Sequence, residues 1–189
     1  WGGMAITLAR DFGAQVIGIT LSKEQVEMAR ARVAEAGLED RIEIRLQDYR
    51  RVKESFQRIV SVGMFEHVGR AQYRAYFDAV ARLLTPDGVA LIHTIGNSTA
   101  PRATSTWIRR YIFPGGYLPS MSEVVTEIEK AGLTTLDIEV WRLHYARTLR
   151  HWYDRFMDGI DRARALYDER FCRMWRYYLT ASEMAFVHE

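Results

Sequence analysis

The chain has 189 residues, 48% hydrophobic and 26% charged, with a net charge of +2. That is enough chain for one substantial domain with an ordinary core, and too little charge to mark a nucleic-acid partner. A single cysteine, Cys172, excludes a disulfide framework and points to a cytoplasmic setting, and no apolar run approaches the roughly 18–20 residues that span a bilayer.

The sequence opens on Trp1-Gly2-Gly3, with no initiator Met and no strand ahead of the glycines. It is expected to be an N-terminally truncated piece of a longer chain. Glycines at a helix start let backbone N–H groups approach a ligand closely, and a helical stretch from Met4 to near Gly13 follows. Ala14–Thr20 reads as a buried strand. Ser22 with Gln25 three residues on is a capping box. The helix behind it is expected to bury Val26, Ala29, Val33 and Ala36 and to end at Gly37. Arg41–Leu46 alternates as a strand, with Gln47-Asp48-Tyr49 at its carboxyl end. On spacing alone Ser22 and Gln25 are caps, and Gln47–Tyr49 reads equally as a solvated turn or as a polar and aromatic edge for an adenine.

The stretch Ile59-Val60-Ser61-Val62-Gly63-Met64-Phe65-Glu66-His67-Val68-Gly69 is a strand that runs out into a loop bearing a carboxylate and an imidazole. A helix over Arg70–Leu84, with Tyr73, Phe77, Val80 and Leu84 on one face, leads through the turn Thr85-Pro86-Asp87-Gly88 to a second strand, Val89–His93, and then Thr94-Ile95-Gly96. Strand, helix, strand is a crossover unit, so the strands should be parallel in one sheet. Ligands bind outside the carboxyl ends of such strands, which brings Glu66 and His93 to one rim.

Beyond Gly96 the chain turns polar, then aromatic and basic over Trp107–Pro119. This segment reads as a wall for an acyl chain, as a membrane-facing surface with Arg109 and Arg110 toward lipid phosphates, or as a packing loop. Ser120 and Glu123 form a second capping box, for a helix ending at Gly132. Leu133–Trp141 reads as a strand. Two helices are expected over about 146–159 and 160–179, the second carrying Phe171, Met174, Trp175 and Tyr178, with a closing strand over Met184–His188. Together the elements predict a doubly wound, Rossmann-like α/β fold with a helical insertion before the last strand and its first strand missing, in one domain over 1–189.

Three motifs carry a resemblance. Val62–Gly69, His93–Gly96 and Tyr111-Ile112-Phe113-Pro114-Gly115-Gly116-Tyr117-Leu118-Pro119-Ser120 resemble, in order, those of the cyclopropane-fatty-acyl-phospholipid synthases and mycolic acid cyclopropane synthases, which are similar in fold to class I methyltransferases. The resemblance covers essentially the whole chain. It implies an enzyme that uses S-adenosylmethionine. Trp1, Gly2 and Gly3 would be the tail of its cofactor loop. Thr20, Leu21, Ser22 and Gln25 would contact its ribose and amino acid part, and Gln47, Asp48 and Tyr49 would hold the adenine. It implies methyl transfer to a cis alkene of an unsaturated phospholipid acyl chain, giving a carbocation that closes to a cyclopropane with the help of a bound bicarbonate. Glu66, His93, the Ile95 backbone and Tyr145 match the residues that bind that ion. By spacing alone Glu66 is a surface partner of His67, His93 a buried histidine and Tyr145 a packing residue. The motifs argue otherwise, and they ask for no metal.

Two features depart from the family pattern. The bicarbonate-binding cysteine belongs to the missing N-terminal part, and Ser182 stands where many members carry a second cysteine. The resemblance places the protein in the cytoplasm, peripheral at the inner membrane surface, and leaves a homodimer open. Competing readings are a C-methyltransferase making a methyl- or methylene-branched fatty acid, a small-molecule methyltransferase, and a non-catalytic lipid-binding module.

Overall fold

A computed structural model describes residues 1–188. Within the domain expected over 1–189 the fold divides into two compact units, Trp1–Thr134 and Thr135–Glu189.

The first unit opens with α1 (Gly3–Phe12), β1 (Val16–Thr20), α2 (Lys23–Glu35) and β2 (Ile42–Leu46). β1 and β2 pair in parallel, Val16 opposite Ile42 and Thr20 opposite Leu46. Alternation in β2 buries Ile42 and Ile44 and exposes Glu43. The buried pair packs with Val26, Ala29 and Val33 of α2 and Ala9 of α1. Ala36, expected to be buried, is exposed, because it is the C-cap, where the helix ends; Gly37 follows with φ 64°. Gly2 caps α1 at φ 85°, and a Cβ there would lie 3.2 Å from Ala29 Cα. Only glycine combines that backbone with so close an approach of α2.

β3 (Phe56–Val62), α3 (Tyr73–Leu83) and β4 (Leu84–His93) form the crossover read from the sequence, and β3 and β4 are parallel. The predicted turn Thr85–Gly88 lies inside β4, which takes it up as an irregularity: Phe56 pairs with Leu84, but Arg58 pairs with Val89. α3 buries Tyr73, Tyr76, Phe77, Ala79, Val80 and Leu83. Around fully buried Phe65 the rings of Tyr73, Tyr76 and Phe77 sit with centroids 4.3, 5.0 and 5.4 Å away, a cluster worth more than its buried area alone. The aromatic, basic segment contains a short helix, α4 (Thr106–Tyr111), absent from the sequence reading. α5 (Met121–Lys130) starts at the predicted capping box, formed in full between Ser120 and Glu123.

Leu133–Trp141 is not a strand. Its alternation is real, but the segment has no ladder partner among the described residues, and Leu136, Ile138 and Val140 are exposed. A strand exists only through the neighbour that satisfies its N–H and C=O groups.

In the second unit α6 (Arg142–Asp158) and α8 (Glu169–His188) run antiparallel, joined through α7 (Ile160–Leu166). Arg142 donates to the Val187 carbonyl at 2.6 Å, and Arg150 pairs with Glu183 at 2.8 Å. Leu149, Cys172 and Leu179 are fully buried. The expected closing strand Met184–His188 is instead the end of α8. Glu183 and Val187 continue its four-residue spacing toward α6, and the Phe186 ring lies tilted against Tyr145, centroids 5.0 Å apart.

Candidate active site

The carboxyl ends of both strand pairs carry most of the residues singled out by sequence; Trp1–Gly3 lead into α1 and Tyr145 lies in α6. At the first rim, Thr20 and Leu46 end β1 and β2 in register, and the Gln47 N–H donates to the Thr20 carbonyl at 3.0 Å. The Ser22 hydroxyl accepts from the Gln25 N–H, which is half of the predicted capping box. The other half is not made. The Gln25 side chain instead accepts from the Thr20 hydroxyl at 2.6 Å, and that hydroxyl accepts from the Ser22 N–H. Thr20, Ser22 and Gln25 are thus one hydrogen-bonded unit, with Leu21 projecting 74% exposed between them. Trp1 is also exposed, and its carbonyl accepts from Arg32.

Asp48 caps its own short 3-10 turn, Tyr49–Arg51. Its carboxylate accepts from the Arg50 guanidinium and the Arg50 N–H, which bring its pKa down to about 2. Tyr49 meets Tyr76 edge-on at 5.5 Å, and Tyr76 meets Phe65 at 5.0 Å. This file of rings runs from the Gln47–Tyr49 corner to the residue before Glu66. Burial pushes the Tyr76 phenol up to about 12, so it stays neutral.

At the second rim Val62 pairs with His93, and the Gly63 N–H donates to the His93 carbonyl at 3.0 Å. Glu66 lies in the 3-10 turn Phe65–His67 and is only 9% exposed, whereas His67 beside it is exposed. Glu66 is therefore not a surface partner of His67. Its Oε1 accepts the Ile95 N–H at 2.8 Å. Its Oε2 is buried and has no hydrogen-bond partner among the described residues. The Ile95 N–H, expected to face a bound anion, is thus already committed to Glu66. A buried carboxylate oxygen left open costs stability unless a donor fills it.

Sequence reading missed the groups that hold this turn. The Tyr117 N–H donates to the Glu66 carbonyl at 3.1 Å, and the Asn97 N–H to the Pro119 carbonyl at 2.7 Å. The segment Tyr117–Ser120 therefore ties the loop after β3 to the loop after β4. The motif around Tyr117 was visible, but backbone pairing between loops leaves no periodic signal. Tyr145 lies in the first turns of α6, not ahead of it, and packs on Trp152 and Phe186 within the second unit.

Comparison with known proteins decides the class. The mycolic acid cyclopropane synthetase family model matches residues 1–189. The chain belongs to that family. It is 42% identical to a probable fatty acid methyltransferase of Pseudomonas putida, over 98% of this chain and 49% of that protein. It is also 42% identical to the cyclopropane-fatty-acyl-phospholipid synthase of Escherichia coli K12, over 98% and 47%. The chain thus spans about half the length of these curated relatives. Among solved structures, the mycolic acid cyclopropane synthase CmaA1, crystallised with SAH and CTAB, superposes with a TM-score of 0.90 at 31% identity, covering 99% of this chain and 70% of that one. The fold is accordingly the Rossmann-like methyltransferase fold, and the family is one of S-adenosylmethionine-dependent methyltransferases.

Proposed function

We propose that this protein transfers a methylene from S-adenosylmethionine to the cis double bond of an unsaturated phospholipid acyl chain, making a cyclopropane. The observation that carries the proposal is the buried, open Oε2 of Glu66 at the rim where β3 and β4 end. S-adenosylmethionine supplies an electrophilic methyl. The alkene π pair forms the new C–C bond as the C–S bond breaks, and the resulting carbocation closes the ring when the added carbon loses a proton. Bicarbonate as the proton acceptor fits the residues present, because its O–H is the kind of donor that Glu66 Oε2 lacks. Glu66 would hold that ion from one side and His93 from another, with the Ile95 N–H fixing the Glu66 carboxylate. Tyr145 enters on the motif resemblance. Trp1–Gly3, Thr20–Ser22 with Gln25, and Gln47–Tyr49 are proposed to bind the cofactor, as residues at strand ends and a helix start do in this fold.

The lipid surface reading rests on α4. From Gly88 to Ser122 the sequence has no Asp or Glu, while Arg102, Arg109 and Arg110 lie within that stretch. Arg109, Arg110 and Tyr111 are exposed. Basic and aromatic side chains together suit an anionic membrane surface, and no helix among the described residues is long and apolar enough to cross a membrane. We therefore place the protein peripherally at the inner face of the membrane.

The test incubates protein made from its complete coding sequence with S-adenosylmethionine and vesicles of unsaturated phospholipid, followed by mass spectrometry of the fatty acids. A gain of one CH2 with the alkene lost supports the proposal. A gain with an alkene kept supports the second reading, a C-methyltransferase that makes a branched fatty acid, which the name of the Pseudomonas putida relative favours. Unchanged lipid overturns both.

A further inference from the structure

We propose that Glu123 is a positioning residue for Glu66, acting through Tyr117; the proposal rests on the reading of Glu66 as the catalytic carboxylate. Glu123 sits in the first turn of α5, where a capping box needs only its bond to the Ser120 N–H. It binds three more groups. Its carboxylate accepts from the Tyr117 phenol at 2.9 and 3.0 Å, from the Ser120 hydroxyl at 3.1 Å and from Arg70 Nε at 2.8 Å. The side chain is 9% exposed. Burial alone would raise its pKa, yet bonds from Ser120, Tyr117 and Arg70 hold it below the usual carboxylate value, so it is a fixed anion at neutral pH.

One of its distant partners holds the Glu66 turn, and the other follows that turn in the chain. Tyr117 donates its N–H to the Glu66 carbonyl. Arg70 opens the 3-10 turn that leaves the Glu66 loop. Glu123 therefore holds Tyr117, which bonds the Glu66 turn, and Arg70, which follows it in the chain, while itself anchored to a helix. From Tyr117 the same segment reaches Asn97 through the Pro119 carbonyl, just past Ile95. One buried anion thus sets the spacing between Glu66 and the Ile95 N–H that orients it. Charge-assisted bonds to a rigid element are what hold a reacting group to within a fraction of an ångström.

Two mild variants test this: Tyr117→Phe, which keeps the ring and the backbone donor, and Glu123→Gln, which keeps the shape. Each is made in protein from the complete coding sequence. The first readout is amide hydrogen exchange at Ile95, which is independent of activity. Exchange should accelerate about tenfold or more in both variants, with the melting transition still cooperative. The second is turnover on lipid vesicles: kcat should fall about tenfold or more while KM for S-adenosylmethionine stays within about twofold. The double variant should be no worse than the poorer single one, because both act on one path. Unchanged Ile95 exchange and kcat in folded Tyr117→Phe overturn the proposal. So does a rise in KM without a fall in kcat, which would make this network part of binding. A wild-type protein without lipid activity would sink the catalytic reading of Glu66, and Ile95 exchange would still decide whether Glu123 positions it.

Discussion

The Ile95 N–H donates to Glu66 Oε1 at 2.8 Å across 29 residues of sequence. This bond joins the exit of β4 to the turn after β3 and leaves Glu66 Oε2 buried with no hydrogen-bond partner among the described residues. Glu66→Gln should keep the bond to Ile95, since the amide oxygen still accepts, and change stability by no more than about 1 kcal/mol. Oε2 becomes a donor and loses its charge. Ring formation should fall about 10²–10³-fold, the size of loss seen when one preorganised polar group is removed from a reacting centre. Fatty acid analysis after reaction, beside a thermal melt, checks both halves.

Phe65 precedes Glu66 and is fully buried under Tyr73, Tyr76 and Phe77. Its ring fixes the position from which the Glu66 turn leaves the core. Phe65→Ala should cost about 3–5 kcal/mol, measured by denaturant unfolding. A smaller loss, under about 1 kcal/mol, would mean that the cluster repacks and that the turn is held from elsewhere.

Much of the second rim was legible before the structure. The crossover from β3 through α3 to β4 followed from apolar runs and helical spacing, and parallel pairing put Glu66 and His93 on one side by necessity. Gly37 and Gly132 end their helices as read, at φ 64° and 75°. What was not legible depends on partners distant in sequence. Leu133–Trp141 alternates like a strand, but alternation names a face and not the neighbour that completes a ladder. Met184–His188 was read as a strand from five residues, too few to separate a period of 2 from one of 3.6. The Ile95 N–H was assigned to an anion because a backbone donor carries no mark of its acceptor. Ser120 and Glu123 read as a cap in the sequence, while the bonds to Glu123 from Tyr117 and Arg70 need the fold.

Gly2 is held at φ 85° with α2 close above it. Gly2→Ala forces an L side chain into the left-handed region, at about 1–2 kcal/mol, and sets a methyl 3.2 Å from Ala29 Cα. The start of α1 must then shift away from α2. If Trp1–Gly3 form part of the cofactor loop, calorimetry should find weaker binding of S-adenosylmethionine, by about tenfold or more, beyond what the melting change explains. Unaltered affinity in a destabilised variant would make Gly2 a packing residue alone.

The charge on Glu123 gives stability a pH dependence whose sign can be stated. Its folded pKa lies below the ordinary 4.5, because bonds from Ser120, Tyr117 and Arg70 outweigh its burial. Unfolded chains therefore bind the proton more readily, and acid favours unfolding. The contribution is complete above 4.5 and disappears as pH falls through the lower folded value. Tyr117 stays neutral throughout that window; burial and the bond to Glu123 raise the phenol further. In Glu123→Gln this titration is gone. The difference in unfolding free energy between wild type and variant should be constant near neutrality and shrink as the solution is acidified below 4.5. A difference that stays flat down to about pH 3 would mean that the Glu123 carboxylate titrates alike in folded and unfolded chains, and that its bonds to Tyr117 and Arg70 do not favour its charge.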